Sequence, residues 1–220
     1  MGWQAASLDA AKQIRAAKDG GICVTDTPQL AVRRFIRRGC VATSVLFVCS
    51  ANRFRSVVAE HLFRKMLWGR DKKLAQEIEV SSAGIKTEEV AQMAEAHGWK
   101  LYLANEGVPE EVVVAMQKRG MNLPRHQPKE LDRGMVEGAG LIITMEEYHK
   151  REILTLYPSV EGRVFTLREF VENANYFLAE GPVCQFSPEY ICTVITQIEE
   201  CLSQGMDKFL YYLGEVRAEH

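Results

Sequence analysis

The hydrophobic pattern divides the chain near residue 44. Before that point apolar residues recur at helical spacing only. Leu8, Ala11 and Ile14 mark a helix over 7–18, which Gly20-Gly21 stops. Thr27-Pro28 reads as an N-cap followed by proline at the first helical position, opening a second helix that ends at Gly39. That helix carries Arg33, Arg34, Arg37 and Arg38, a solvated face whose cations suit a helix C-terminus, or else a docking surface.

From Ser44 the period changes. Ser44-Val-Leu-Phe-Val48 is a short apolar run rich in β-formers, as expected of a buried parallel strand. Ala59, Leu62, Phe63, Met66 and Leu67 recur as on an amphipathic helix. Further strands are expected at Glu77–Val80, which ends in Ser81-Ser-Ala-Gly84, at Leu141–Thr144 and at Arg163–Leu167. Helices are expected over Val108–Lys118, over Lys129–Glu137, between the third strand and Pro158, and from Ser187 onward. The last has an apolar stripe of Ile191, Val194, Ile195, Ile198, Leu202 and Phe209. Strands alternating with helices predict an α/β fold: a doubly wound, three-layer open sandwich around a four-stranded parallel sheet, with ligands beyond the carboxyl ends of the strands. The expected organisation is a helical extension at 1–40 and one domain at 44–215.

Composition narrows the function classes. The 220 residues carry a formal net charge of −2 and are 47% hydrophobic and 25% charged, an ordinary globular balance. Nothing in it demands nucleic acid or an anionic membrane. No apolar run reaches the roughly 18 residues of a membrane span, and the first residues do not read as a signal peptide; a cytoplasmic protein is expected. The cysteines are Cys23, Cys40, Cys49, Cys184, Cys192 and Cys201, with no Cys-x-x-Cys pair. Most are expected to be small core residues, and no metal site has ligand spacing.

Cys49 differs from the others. The first strand runs into Cys49-Ser-Ala-Asn-Arg-Phe-Arg-Ser56, after which a helix begins. A short loop wrapping into a helix N-terminus aims backbone N–H groups at one point, and the helix dipole adds positive potential. Arg55 can hold two oxygens of an anion bidentately. Cys49 lies at the base of this field, where a thiolate is favoured and would face a bound phosphate as a nucleophile. Ser56 can donate a hydrogen bond to the sulfur as it leaves.

Residues 45–60, Val-Leu-Phe-Val-Cys-Ser-Ala-Asn-Arg-Phe-Arg-Ser-Val-Val-Ala-Glu, resemble the signature of the low-molecular-weight protein tyrosine phosphatase family, which includes protein-arginine phosphatases and arsenate reductases. Val80-Ser-Ser-Ala-Gly84, Gly120-Met-Asn-Leu-Pro-Arg-His126, Leu141–Met145 and Gly162–Phe170 resemble later landmarks in the family's order. The resemblance covers about residues 44–215 and implies a flavodoxin-like fold. It implies Cys49 as nucleophile, Arg55 as phosphate clamp and Ser56 as the residue assisting the thiolate. Ser50, Ala51, Asn52, Arg53, Phe54 and Arg55 would form the phosphate loop. Asn52, Ser82 and His126 would hold that loop open, with a surface turn as the plainer reading of His126. No cofactor is implied. The partners implied are a phosphoprotein, or inorganic phosphate or sulfate in the loop, while the N-terminal helices dock a partner or the domain itself.

The family pattern breaks at the general acid. Gly181-Pro182 stands where the family has Asp-Pro, and no Asp occurs between Asp132 and Asp207. Glu180 is the adjacent substitute, with Glu172 and Glu189 farther off; an exposed loop carboxylate is the plainer reading of Glu180. Ala51 replaces a Gly where the backbone is expected to turn tightly, Phe54 replaces a second cysteine, and Arg53 is expected to line the pocket mouth. The 86–103 stretch is longer than the family's usual connection. Three readings follow: a cysteine-dependent protein phosphatase with an atypical or missing acid, a degenerate phosphate-binding module, or an arsenate reductase, for which Cys184 and Cys192 lack the usual spacing.

Overall fold

The structure is a computed structural model that describes residues 44–86, 92, 107–171 and 187–213. Four parallel strands form one sheet in the order β2-β1-β3-β4, with β1 at Ser44–Cys49, β2 at Glu79–Gly84, β3 at Leu141–Thr144 and β4 at Val164–Thr166. The helices are α1 (Arg55–Arg70), α2 (Lys72–Glu77), α3 (Glu110–Gln117), α4 (Arg133–Gly138), α5 (Glu147–Leu156), α6 (Leu167–Val171) and α7 (Pro188–Leu213), with a 3-10 turn at Pro158–Arg163. This is the expected three-layer arrangement. The N-terminal helices expected at 1–40 lie outside the described residues, as does all of the long connection within 86–103 except Lys86 and Gln92.

The period-2 alternation of β1 feeds two cores. Val45, Phe47 and Cys49 face a cluster built with Leu62 and Phe63 of α1, Val112 and Met116 of α3, and Ile195, Ile198 and Phe209 of α7. Leu46 and Val48 face the opposite layer, with Val136, Ile153 and Val160. Phe63 and Phe170 both pack on Phe209, at centroid separations of 4.7 and 4.4 Å. α7 approaches α6 so closely that a Cβ on Gly205 would lie 2.4 Å from Val171 Cγ1. The burial of β1 on both faces explains why its sequence reads as continuous apolar rather than alternating.

The second strand differs most from its expected position. Ser81-Ser-Ala-Gly84 has the composition of a turn, yet it is the body of β2, paired with β1 from Ser44↔Glu79 through Cys49↔Gly84. Residues 72–77 form α2 instead of leading into the strand, with Asp71 Oδ1 accepting from Leu74 N at 2.9 Å as its cap. A buried serine is tolerated in this strand because the Ser82 side chain is hydrogen-bonded to Asn52 and Glu60.

Candidate active site

β1 ends at Cys49, and residues 50–54 turn into α1. Neighbouring backbone pins the strand end of the turn. Ile85 N donates to Cys49 O and Lys86 N to Ser50 O, each at 2.9 Å, while Met145 N donates to Val48 O at 2.9 Å. The segments following β1, β2 and β3 therefore converge at the carboxyl edge of the sheet, where an open parallel sheet takes its ligand. The left-handed residue of the loop is Asn52, at φ 50°. Ala51 is thus not the tight position, and its Cβ meets no left-handed penalty. Asn is among the few residues that tolerate this conformation. The N-cap of α1 is Phe54, which offers no side-chain hydrogen bond to the first turn. The positive end of a 16-residue helix is left facing the loop.

A chain of side chains runs from the sulfur into the protein. Cys49 Sγ lies 3.0 Å from Ser56 Oγ. Asn52 Nδ2 donates to Ser56 Oγ at 3.0 Å and to Ser82 Oγ at 2.9 Å. Ser82 Oγ donates to Glu60 Oε2 at 2.6 Å. Both amide protons of Asn52 and the single proton of Ser82 are committed, which leaves the Ser56 proton for the sulfur. The other side of Asn52 is held equally firmly. Its Oδ1 accepts from Lys129 N at 2.9 Å and lies 3.1 Å from His126 Nε2, which is also 2.8 Å from Asn52 O. Both partners of that nitrogen are carbonyl oxygens, so Nε2 carries the hydrogen. Burial holds His126 below the usual imidazole range, opposed by its bond to Asn52 and by Glu60.

The two loop arginines have different surroundings. Arg55 forms an ion pair with Glu146, and its Nη2 lies 3.4 Å from Ser50 Oγ. Its side chain is 18% exposed. Arg53, expected at the pocket mouth, is instead buried at 4% exposure, with Nε donating to Gly107 O at 3.2 Å. Phe54 is buried in the core that contains Cys49. The structure thus brings Cys49, Asn52, Ser56, Ser82 and His126 into one network and sets Arg55 beside Ser50. Glu180, Glu172, Gly181-Pro182 and Cys184 lie outside the described residues. Glu189 lies in the first turn of α7 and Cys201 is buried, but Cys192 is exposed, contrary to its expected place in the core.

Four residues at this site were not assigned a role from sequence. Glu60 sits four residues after Ser56 on α1, one turn along the same face, and that spacing is a readable signal. Glu146, Tyr148 and His149 follow the carboxyl end of β3, which places them beside the loop by topology alone. Among the described residues no group of three His, Cys, Asp or Glu side chains could hold a metal ion.

The sequence model of the low molecular weight phosphotyrosine protein phosphatases matches residues 44–211. The chain belongs to that family. It is therefore a hydrolase of the cysteine-dependent phosphatase class. This phosphatase is 31% identical over 128 residues to the probable low molecular weight protein-tyrosine-phosphatase EpsP of Ralstonia solanacearum, covering 57% of this chain and 71% of that one. It is 27% identical over 143 residues to the protein-arginine-phosphatase of Geobacillus stearothermophilus, covering 63% and 80% of the two chains. Its fold matches that of a YwlE arginine phosphatase Cys-to-Ser mutant with a phosphorylated active site serine. That match has a TM-score of 0.60 and 24% identity, and covers 80% of this phosphatase and 99% of the solved chain. Among the described residues no helix of the phosphatase is long and apolar enough to cross a membrane.

Proposed function

We propose that this phosphatase cleaves phosphate from a protein side chain, phosphotyrosine or a related phospho-residue, through a phosphocysteine intermediate. The observation that carries this reading is the Cys49–Ser56 contact of 3.0 Å at the end of a proton chain that leaves the sulfur as acceptor. The thiolate attacks phosphorus in line, the bond from phosphorus to the leaving oxygen breaks, and Ser56 stabilises the sulfur. Loop N–H groups and the Arg55 guanidinium hold the phosphoryl oxygens. Water then attacks phosphorus, the P–S bond breaks, and inorganic phosphate and the thiolate are released. Asn52, Ser82 and His126 keep the loop in register. The phosphorylated active-site serine of the YwlE mutant is in keeping with a covalent step at this position.

The leaving group needs a proton, and Gly181 stands where the family has aspartate. Glu180 is the nearest carboxylate in sequence to supply it. The missing Asp favours a second reading, a degenerate module that binds phosphate or phosphoprotein and turns it over poorly.

The test is steady-state hydrolysis of aryl phosphates of graded leaving-group pKa by the wild type, Cys49→Ser, Glu180→Gln and Gly181→Asp, followed by a panel that includes phosphotyrosine and phosphoarginine. Turnover that Cys49→Ser abolishes supports the enzyme. A steep leaving-group dependence relieved about tenfold or more by Gly181→Asp supports a missing acid, within the roughly 10²–10⁴ that general acids supply. A comparable loss in Glu180→Gln assigns the proton to Glu180. Phosphate binding without turnover, even of the best leaving groups, supports the binding module.

A further inference from the structure

We propose that Tyr148 and His149 are positioning residues for the phosphate loop and act through the Ser50 hydroxyl, an inference that rests on the phosphatase reading above. Ser50 is the residue after the nucleophile. Its Oγ is in hydrogen-bond contact with the Tyr148 hydroxyl, lies 3.0 Å from His149 Nε2, and is met by Arg55 Nη2 at 3.4 Å. A serine hydroxyl has one proton and two acceptor sites. Three partners therefore saturate it, and no valence remains for a bound phosphate. The side chain of Ser50 is thus an anchor rather than a ligand, and it ties the first turn of α5 both to the loop backbone and to the clamp arginine.

His149 is costly for a core position and would be poorly explained by packing alone. It is fully buried, and its Nδ1 has no hydrogen-bond partner among the described residues. A half-satisfied buried imidazole is less favourable than an apolar side chain of similar volume. What it gains is the bond to Ser50. The ring also stacks against Tyr148, with centroids 4.0 Å apart and planes inclined at 41°, so the two anchors hold each other in place. Burial, then the nearby Arg55 charge, pushes the imidazole down to about 2. The ring stays neutral beside the arginine and offers a hydrogen bond without a competing charge.

The experiment measures the Kd of inorganic phosphate by calorimetry, and kcat and KM for an aryl phosphate between about pH 5 and 8, on the full chain. The variants are Ser50→Ala, Tyr148→Phe, His149→Gln and the double variant Ser50→Ala/His149→Gln. Each single change is expected to weaken phosphate binding and raise KM by about 2–10-fold, the range of one neutral hydrogen bond. The double variant is expected to lose no more than the larger single, because both remove the same bond. The pH profile keeps its shape, since His149 does not titrate in that range.

Losses that multiply in the double variant overturn the proposal. So does a His149→Gln variant with lowered Tm but wild-type Kd and KM, which would mark a packing role. Ser50→Ala removes the bond without touching the core, so a wild-type Kd in that variant overturns the proposal even if the His149 variants do not fold. A wild type that neither binds phosphate nor hydrolyses aryl phosphate overturns the phosphatase reading and this inference with it; a wild type that does both, with unaffected variants, overturns this inference alone.

Discussion

Ser82 gives its only hydroxyl proton to Glu60, across 2.6 Å. That bond sets the direction of every hydrogen bond between it and the sulfur. With Ser82 donating to the carboxylate, its oxygen accepts from Asn52, and Asn52 in turn leaves Ser56 free to donate to Cys49. Glu60 is held in place by Arg64 at 2.9 Å. Replacing Glu60 by Ala leaves Ser82 without its acceptor and removes that directionality. The expected outcome is a fall in kcat/KM of about tenfold or more, the scale of a lost hydrogen bond to a charged group, with the phosphate Kd changed less. Equal losses in kcat/KM and phosphate affinity would place Glu60 in loop integrity alone.

Arg55 is ion-paired with Glu146, which in the proposed mechanism orients the guanidinium before phosphate arrives. Arg55→Lys is expected to abolish phosphate binding measured by calorimetry, because an ammonium cannot make two parallel bonds. Glu146→Gln is expected to weaken it about 2–5-fold, on the scale of one partly exposed pair. Arg53→Ala, which removes a guanidinium buried against Gly107 rather than one at the mouth, is expected to lower Tm more than it changes the phosphate Kd. An Arg53 variant with normal stability and altered substrate preference would restore the expectation from sequence.

Thiol chemistry separates the described cysteines. Burial pushes the Cys201 thiol up to about 12, with Glu200 adding to the effect, and Cys192 is exposed on α7. Cys49 stands before the uncapped end of α1. Iodoacetate at about pH 6 is expected to label Cys49 first, with protection by phosphate, while Cys201 stays unlabelled in the folded protein. Peptide mapping showing Cys192 labelled as fast, with no protection at Cys49, would remove the anion cradle.

Acid should destabilise the fold through its buried imidazoles. His149 is held down to about 2 and so stays neutral in the folded protein, while its unfolded counterpart takes up a proton below about 6.5; His126 is lowered in the same direction by its burial. Stability is therefore full above that value and falls as the pH drops. At about pH 4.5 the His149 share of the loss is about 3 kcal/mol, two pH steps at roughly 1.4 kcal/mol each. Urea melts of the wild type and His149→Gln at about pH 7 and 4.5 measure it: on acidification the wild type is expected to lose about that much more stability than the variant. Parallel losses in the two proteins would show that His149 is not the group responsible.

What the sequence determined by itself is local. The apolar run at 44–48, the helical spacing from Ala59 and the stripe from Ile191 each describe a contiguous segment, and a strand and helix periodicity survives wherever the segment packs. The strand–loop–helix passage from Cys49 to Ser56 was legible for the same reason, because it is one continuous stretch of chain. Tertiary structure decided what depends on pairing across distance. Ser81-Ser-Ala-Gly84 became a strand because β1 lies beside it, residue by residue, and because Ser82 is needed under the loop. Asn52, not Ala51, took the left-handed turn because His126 and Lys129 hold its side chain from another part of the chain. Arg53 is buried and donates to the carbonyl of Gly107, 54 residues away, and Ser50 is joined to His149 across 99. No periodicity or local spacing carries such contacts, since they arise only when the carboxyl ends of separate strands are brought to one edge of the sheet.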